Sequence, residues 1–228
     1  AGADVVVTML ADGDATASVM TDARAALGDG ALWLQMGTVG ITATERLARL
    51  AAEAGVAFVD APVSGTRQPA EQGKLTVFAS GPAELSERCA PVFDTVAAKV
   101  LWVGEAGAGT RLKLVVNAWL AARVGGLAES VALAEGIGVD PRQFLAAIDG
   151  APVGAPYAQL KGTMMIDRDY PPSFPLHLLT KDVALVADAA AEAGLALRVG
   201  PAVLALLEAA EERHAEDDMA AIVEALRP

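Results

Sequence analysis

The sequence predicts an α/β protein in two parts, a mostly parallel sheet covered by helices up to residue 104 and an all-helical region over residues 105–228. Three observations predict it. Short β-rich runs alternate with helical stretches as far as Gly104, the pattern of strands joined by helical crossovers. Beyond Gly104 the periodic segments are long, helical and rich in Ala and Leu, with Gly and Pro between them. And 228 residues, 54% of them hydrophobic and 20% charged, provide enough apolar surface for one large domain or two modest ones.

In chain order, the strand candidates are DVVVTML (4–10), ALWLQMG (31–37), VAFVDAPV (56–63), LTVFASG (75–81) and KVLWVG (99–104), each an apolar run bounded by Gly, Asp or Pro. Between them, ATASVMTDARAAL (15–27), TATERLARLAAEAG (42–55) and AELSERCAPVFD (83–94) carry helical periodicity. The second part is expected to form helices over 108–137, 141–149, 178–193, 200–213 and 216–226. So much Ala and Leu in so few residues predicts that part of this region's surface is buried against another subunit.

A net charge of -12 opposes a phosphate backbone, and no Lys/Arg run interleaved with aromatics offsets it, so nucleic-acid binding is not expected. The longest apolar tract, 112–139, is interrupted by Lys113, Arg123 and Glu129 and falls short of a bilayer span, so no membrane association is expected. Cys89 is the sole cysteine, which rules out an intrachain disulfide, and no metal-ligand spacing appears. AGADVVVTML carries no basic n-region of a secretion signal, and the expected location is cytoplasmic.

The stretch GAGTRLKLVVNAWL (107–120) places Lys113 and Asn117 one helical turn apart on one face of an otherwise apolar helix. Either that face is solvated, with the lysine stem lying along apolar surface, or it is a site in which a partly buried lysine exchanges a proton near neutrality. The glycines just before it half-match a phosphate loop, but Thr110 and Arg111 stand where its Lys and Ser/Thr belong, and Leu112 breaks the dinucleotide pattern. A glycine-rich entry that lets the next helix pack closely is the other reading. In DAPVSGTRQPAEQGKLTVFASG (60–81), Pro62 and Gly65 bracket Ser64 at a strand end, which is either an ordinary polar turn or a nest for a carboxylate. SFPLHLLTKDVALV (173–186) adds Phe174, His177, Lys181 and Asp182 near a helix start.

Taken together, TML after a strand, GT after a strand, DAPVSG, GxGxxxKLxxN and FPLxxxxKD, in that order, resemble the β-hydroxyacid dehydrogenase family, which includes the 3-hydroxyisobutyrate dehydrogenases. APVSGTRQPAEQGKL and PSFPL most resemble its glyoxylate and succinic semialdehyde reductase branch. The resemblance covers essentially the whole chain. It implies a partial Rossmann-like dinucleotide-binding domain (1–104) joined by a long helix to an all-α substrate and dimerisation domain (105–228), with one more βαβ unit bearing the glycine fingerprint before Ala1. It further implies NADP or NAD as cofactor, a small carboxylate-bearing substrate, and a homodimer or homotetramer formed through the helical domain.

Carried over by motif, the resemblance makes Lys113 the general acid/base and Asn117 its helix partner that orients the substrate. Ser64, Gly65 and Thr66 match the loop that receives the substrate carboxylate, and Phe174 and Asp182 match residues lining the closed site. Leu10, Ala11, Thr38 and Lys181 match positions contacting the nicotinamide cofactor. On this reading Lys113 and Asn117 face an interdomain cleft. The chain departs from the family at Ala11, where proline is usual, at Asn117-Ala118-Trp119, and in LQMGTVG, which replaces the Asp-x-Ser-Thr form but keeps Thr38. Two rival readings are an imine reductase of related fold, whose sites usually lack this lysine, and a non-catalytic dehydrogenase-like scaffold, which the acidic Ala/Leu-rich second part would suit.

Overall fold

The computed structural model describes residues 2–28 and 30–227. The chain divides into two compact units, residues 1–116 and 117–228, and the division falls inside a single long helix.

The first unit opens with three parallel strands, β1 (Val5–Thr8), β2 (Leu32–Gln35) and β3 (Ala57–Asp60), in the order β1-β2-β3. Val5 lies opposite Leu32, and Leu32 opposite Ala57. The crossovers are α1 (Gly13–Ala23) and α2 (Ile41–Glu53). Asp12 starts α1 by accepting the backbone N–H groups of Asp14 and Ala15, the usual satisfaction of a helix's orphan donors. Successive β2 residues feed separate clusters. Leu32 and Leu34 pack with Val59, Val77 and Phe93, whereas Trp33 packs with Met20, Leu47 and Phe58, meeting the Phe58 ring edge-on at 5.1 Å. A strand buried on both faces needs apolar residues at consecutive positions, which is why LWL shows no alternation.

The expected strand over 56–63 divides in two. β3 ends at Asp60, and β4 (Val63–Ser64) pairs antiparallel with β5 (Leu75–Ala79), which in turn pairs parallel with β6 (Ala97–Trp102). Pro62 sits at the break because it has no N–H to give a ladder; its carbonyl still accepts from Phe78 N–H at 2.9 Å. An antiparallel bridge between Asp60 and Ser80 links the two three-stranded sheets. α3 (Arg67–Glu71) and α4 (Ser86–Val96) complete this unit's helical connections before the long helix α5 (Ala108–Gly136).

After α5 the second unit contains α6 (Pro141–Ile148), α7 (Pro156–Asp167), α8 (Leu176–Glu192), α9 (Val199–His214) and a 3-10 segment, Met219–Leu226, where a final α-helix was expected. Val124, Leu127, Val131, Leu179, Val183, Leu207 and Ile222 are among its core residues. Glycines set the closest helix contacts: a Cβ on Gly125 would meet Val203 Cγ2 at 2.6 Å, and one on Gly162 would meet Leu145 Cδ2 at 2.6 Å. Near the end of the chain, the buried Arg227 side chain donates to Glu135 and Glu224 and to the Met165 carbonyl.

α7 is the helix that periodicity misses. Its inward positions are Lys161, Gly162 and Met165, so a charge and a missing side chain stand where an apolar stripe would announce a helix. Pro156 at its first turn is the surviving signal.

Candidate functional site

The carboxyl ends of β1 and β2 form one edge of the first unit. There Thr8, Trp33 and Gln35 make a buried polar knot: Trp33 Nε1 donates to Thr8 Oγ1 (2.8 Å), Thr8 Oγ1 donates to Gln35 Oε1 (2.9 Å), and Gln35 Nε2 donates to the Gly37 carbonyl (2.8 Å). Gln35 stands at the head of the segment where the family form carries aspartate, and its amide does this work without a buried charge. The knot brings the Leu10 and Thr38 loops together so closely that a Cβ on Gly37 would lie 2.9 Å from the Leu10 carbonyl. Leu10 and Thr38 are half-buried and Ala11 exposed. A carboxyl edge of parallel strands is where α/β sheets accept ligands.

Ser64–Thr66 leads from β4 into α3. Ser64 pairs with Thr76 of β5, and Gly65 takes φ +128, a conformation L side chains rarely adopt; a Cβ there would also strike Leu75 Cδ2 at 2.6 Å. Thr66 stands at the N-cap of α3. The backbone turn is therefore fixed by glycine, leaving the half-buried Ser64 and Thr66 hydroxyls at its rim.

Lys113 lies on α5 and is only 8% exposed. Three residues before it, Thr110 is locked to Asp60 at the end of β3: Thr110 N–H donates to Asp60 Oδ2 and Thr110 Oγ1 to Asp60 Oδ1, both at 2.8 Å. Ser80 Oγ donates to Asp60 Oδ2 at 3.1 Å and accepts Gly109 N–H at 2.9 Å. Burial pushes the Asp60 carboxyl above the usual carboxylate range, against the pull of its Thr110 and Ser80 donors. The net effect is an anchor that fixes the position and rotation of α5 at its start. Sequence reasoning missed Asp60, Ser80 and Thr110 as site supports, although Asp60 opens the DAPVSG motif.

Asn117 is the next α5 residue on the Lys113 face, and it is fully buried. Its Nδ2 donates to Asp182 Oδ2 at 2.7 Å, and Lys181 Nζ stands 2.7 Å from Asp182 Oδ1. The structure thus brings together Asn117, Lys181 and Asp182 through α5 and α8. Asn117 Oδ1 is buried with no hydrogen-bond partner among the described residues, and buried acceptors are rarely left so. Phe174 lies just before α8, half-buried against the helical core.

Family models match both parts of the chain. Residues 1–104 match the NAD binding domain of 6-phosphogluconate dehydrogenase, and residues 107–226 match the NAD-binding domain of NADP-dependent 3-hydroxyisobutyrate dehydrogenase. The chain belongs to the 3-hydroxyisobutyrate dehydrogenase family. The family resemblance of its motifs is borne out, as is an α/β dinucleotide-binding region followed by a mostly helical one. Among its relatives, glyoxylate/succinic semialdehyde reductase 2, a chloroplastic protein of Arabidopsis thaliana, is 30% identical over 98% of this chain and 64% of its own length. The probable 3-hydroxyisobutyrate dehydrogenase of Mycobacterium tuberculosis is 31% identical over 100% of this chain and 80% of its own.

A solved structure of the Mycobacterium tuberculosis 3-hydroxyisobutyrate dehydrogenase with L-serine superposes with a TM-score of 0.87 at 29% identity, covering 99% of this chain and 80% of that one. The Salmonella typhimurium 3-hydroxyisobutyrate dehydrogenase gives 0.89 at 24% identity over 97% and 79%, a likeness of fold. The chain therefore spans about two thirds to four fifths of the length of these family members. Among the described residues, no helix is long and apolar enough to cross a membrane.

Proposed function

We propose that the full-length protein interconverts a small carboxylate-bearing aldehyde or ketone and its hydroxy acid, using NADP or NAD. The observation that carries this reading is a buried lysine one turn before a buried asparagine whose amide is fixed by Asp182 while its Oδ1 has no partner among the described residues. A solvated helix face would bury neither group.

In this reading, residues 1–104 are the C-terminal part of the NAD(P)-binding domain and residues 105–228 the helical substrate and dimerisation domain. Leu10, Ala11 and Thr38 at the β1/β2 edge, with Lys181, would hold the cofactor's nicotinamide end; Gly37 lets the two loops that carry Leu10, Ala11 and Thr38 lie against each other. When bound, that cofactor supplies or accepts the hydride, which no side chain can do. Ser64 Oγ and the N–H groups of the Gly65–Thr66 turn hold the substrate carboxylate. As negative charge builds on the carbonyl oxygen, the Lys113 ammonium stabilises it and donates the proton that completes the alcohol; in oxidation, neutral Lys113 takes that proton back. Asn117 helps to orient the substrate beside Lys113, and Phe174 lines the closed site.

Trp119 and Leu133 on one face of α5, and Ile137 just after its end, are 65%, 62% and 66% exposed, which supports assembly as a homodimer or homotetramer through the helical region. A cytoplasmic location belongs to the same proposal.

The test is a panel of semialdehydes and 2-oxoacids, with cyclic imines as controls, followed by NADPH or NADH oxidation in the full-length protein and its Lys113→Ala variant. Turnover of at least one carboxylate-bearing carbonyl, lost in Lys113→Ala with an unchanged circular dichroism spectrum, is expected. Retained turnover in the variant removes Lys113 from its role, and turnover of imines alone replaces the substrate class.

A further inference from the structure

Lys161 on α7 is completely buried, and so is the Asp218 carboxylate it meets at 2.6 Å. Neither belongs to the site described above. The pair is fully elaborated. Asp218 Oδ2 accepts Ser173 N–H (3.0 Å), Ser173 Oγ–H (2.8 Å) and Phe174 N–H (3.4 Å), while Oδ1 accepts Ala220 N–H (3.0 Å). Lys161 Nζ also donates to Ser173 Oγ at 3.1 Å and lies 5.5 Å from the centre of the Tyr157 ring.

Burying two charges is costly, and replacing such a pair by apolar residues of similar size is often neutral or stabilising. Stability alone is thus a poor account of why charges occupy this core, whereas a need for one fixed geometry is a good one. What the pair fixes is visible in the backbone. Tyr170 O accepts Asp218 N–H, Phe174 O accepts Met219 N–H, and Asp217 O accepts Leu176 N–H. Segment 170–176 contains Pro171, Pro172 and Pro175, which have no N–H to offer, so it cannot brace itself. Its donors at Ser173 and Phe174 go to Asp218 instead. The segment then runs into α8, whose start has no side-chain cap and which carries Lys181 and Asp182.

We propose that Lys161 and Asp218 are positioning residues: through Ser173 they fix the 173–176 segment and the entry of α8, so that Phe174 and the Lys181–Asp182 pair are presented in a single arrangement. The catalytic consequence rests on the function proposed above. The structural consequence does not.

The first measurement is backbone amide exchange in the full-length wild type. The Ser173 and Phe174 amides should exchange only as slowly as the core of α8; fast local exchange would overturn the proposal. The second is kinetic. Lys161→Met should lower kcat/KM on the preferred substrate about tenfold, chiefly through KM, at temperatures where the variant remains folded. In a Phe174→Ala background the same substitution should cost clearly less than about tenfold, because part of its effect travels through Phe174. Should Lys161→Met fail to fold, Ser173→Ala, which removes only the bridging hydroxyl, takes its place in the cycle. A loss of stability with unchanged kcat/KM, or full additivity with Phe174→Ala, would make the pair merely structural. Absence of turnover in the wild type is failure of the functional reading, seen without any variant, and the exchange measurement still decides whether the pair fixes the segment.

Discussion

Replacing Gly109 by alanine sets two effects of opposite sign against each other. Gly109 lies in the first turn of α5, and on helix propensity alone alanine there would stabilise by about 1 kcal/mol. Its surroundings forbid it. A Cβ would stand 2.1 Å from the Phe78 carbonyl oxygen and 3.1 Å from both the Asp60 carbonyl and Ser80 Oγ, where real Cβ contacts essentially never fall under 3.0 Å. The helix start must therefore retreat by about 1 Å, since backbone oxygen cannot yield as a flexible side chain does. That retreat opens the 2.9 Å bond from Gly109 N–H to Ser80 Oγ and the 2.8 Å bond from Thr110 N–H to the Asp60 carboxylate. A neutral bond is worth about 1 kcal/mol and one to a charged group about 2 kcal/mol, so the net result is a loss of about 2 kcal/mol after the propensity gain. Urea unfolding followed by Trp33 and Trp102 fluorescence, in a Trp119→Phe background and extrapolated linearly, measures it. Gly136→Ala, in the last turn of α5, is the control: nothing lies within 4 Å of its Cβ, so the variant should be no less stable than the parent. If Gly109→Ala is as stable as the parent, the close packing of α5 on β5 is not what the glycine serves.

Two further outcomes follow from buried titratable groups. Cys89 is fully buried and its thiol is pushed up to about 11 by that burial, so at pH 8 a disulfide reagent should modify the native protein no faster than it unfolds; rapid labelling would contradict this. For Asp218, burial alone would raise the carboxyl, but the hydrogen bond and charge of Lys161 and the Ala220 and Ser173 N–H groups outweigh it and hold the group below its usual range. A depressed folded-state value contributes stability above the unfolded carboxyl's pKa of about 3.9 and loses it as pH falls through the lower folded value. The stability gap between wild type and Asp218→Asn, read from urea midpoints, should therefore be widest near neutrality and shrink below about pH 4; a gap that stays constant would refute the assignment.

Much of the fold was legible because its signals are local. The β2 and β3 strands announce themselves as consecutive apolar residues, since both sheet faces are covered. The break at Pro62 was written in the sequence but masked by the apolar residues on either side of it. α7 was illegible for a different reason: its buried face is built from Lys161, whose partner Asp218 is 57 residues away, and from Gly162, which is small so that Leu145 can approach. The site divides the same way. Lys113 and Asn117 share a helix face by spacing alone, whereas the groups that hold them, Asp60 for the start of α5 and Asp182 for the Asn117 amide, lie 50 and 65 residues from their partners. Contacts at such separations leave no periodic trace.

The glycines before Lys113 show how two readings of one pattern can be separated. A phosphate loop requires free N–H groups at the start of a helix, pointing at an anion. At the start of α5 that anion is already part of the protein: the Asp60 carboxylate accepts both the Thr110 N–H and the Thr110 hydroxyl, and Gly109 N–H is spent on Ser80. A phosphate placed there would meet a buried carboxylate instead of open donors. The glycines serve approach, bringing the helix within reach of a strand-end aspartate that fixes its register. The start of α5 is therefore not open to an anion-bearing cofactor, which is consistent with the proposal that the carboxyl edge of β1 and β2, shaped by Gly37 and the Gln35 knot, receives one end of it. Lys113 gains from the same arrangement, because a helix whose rotation is set at Thr110 delivers the side chain three residues later to one place.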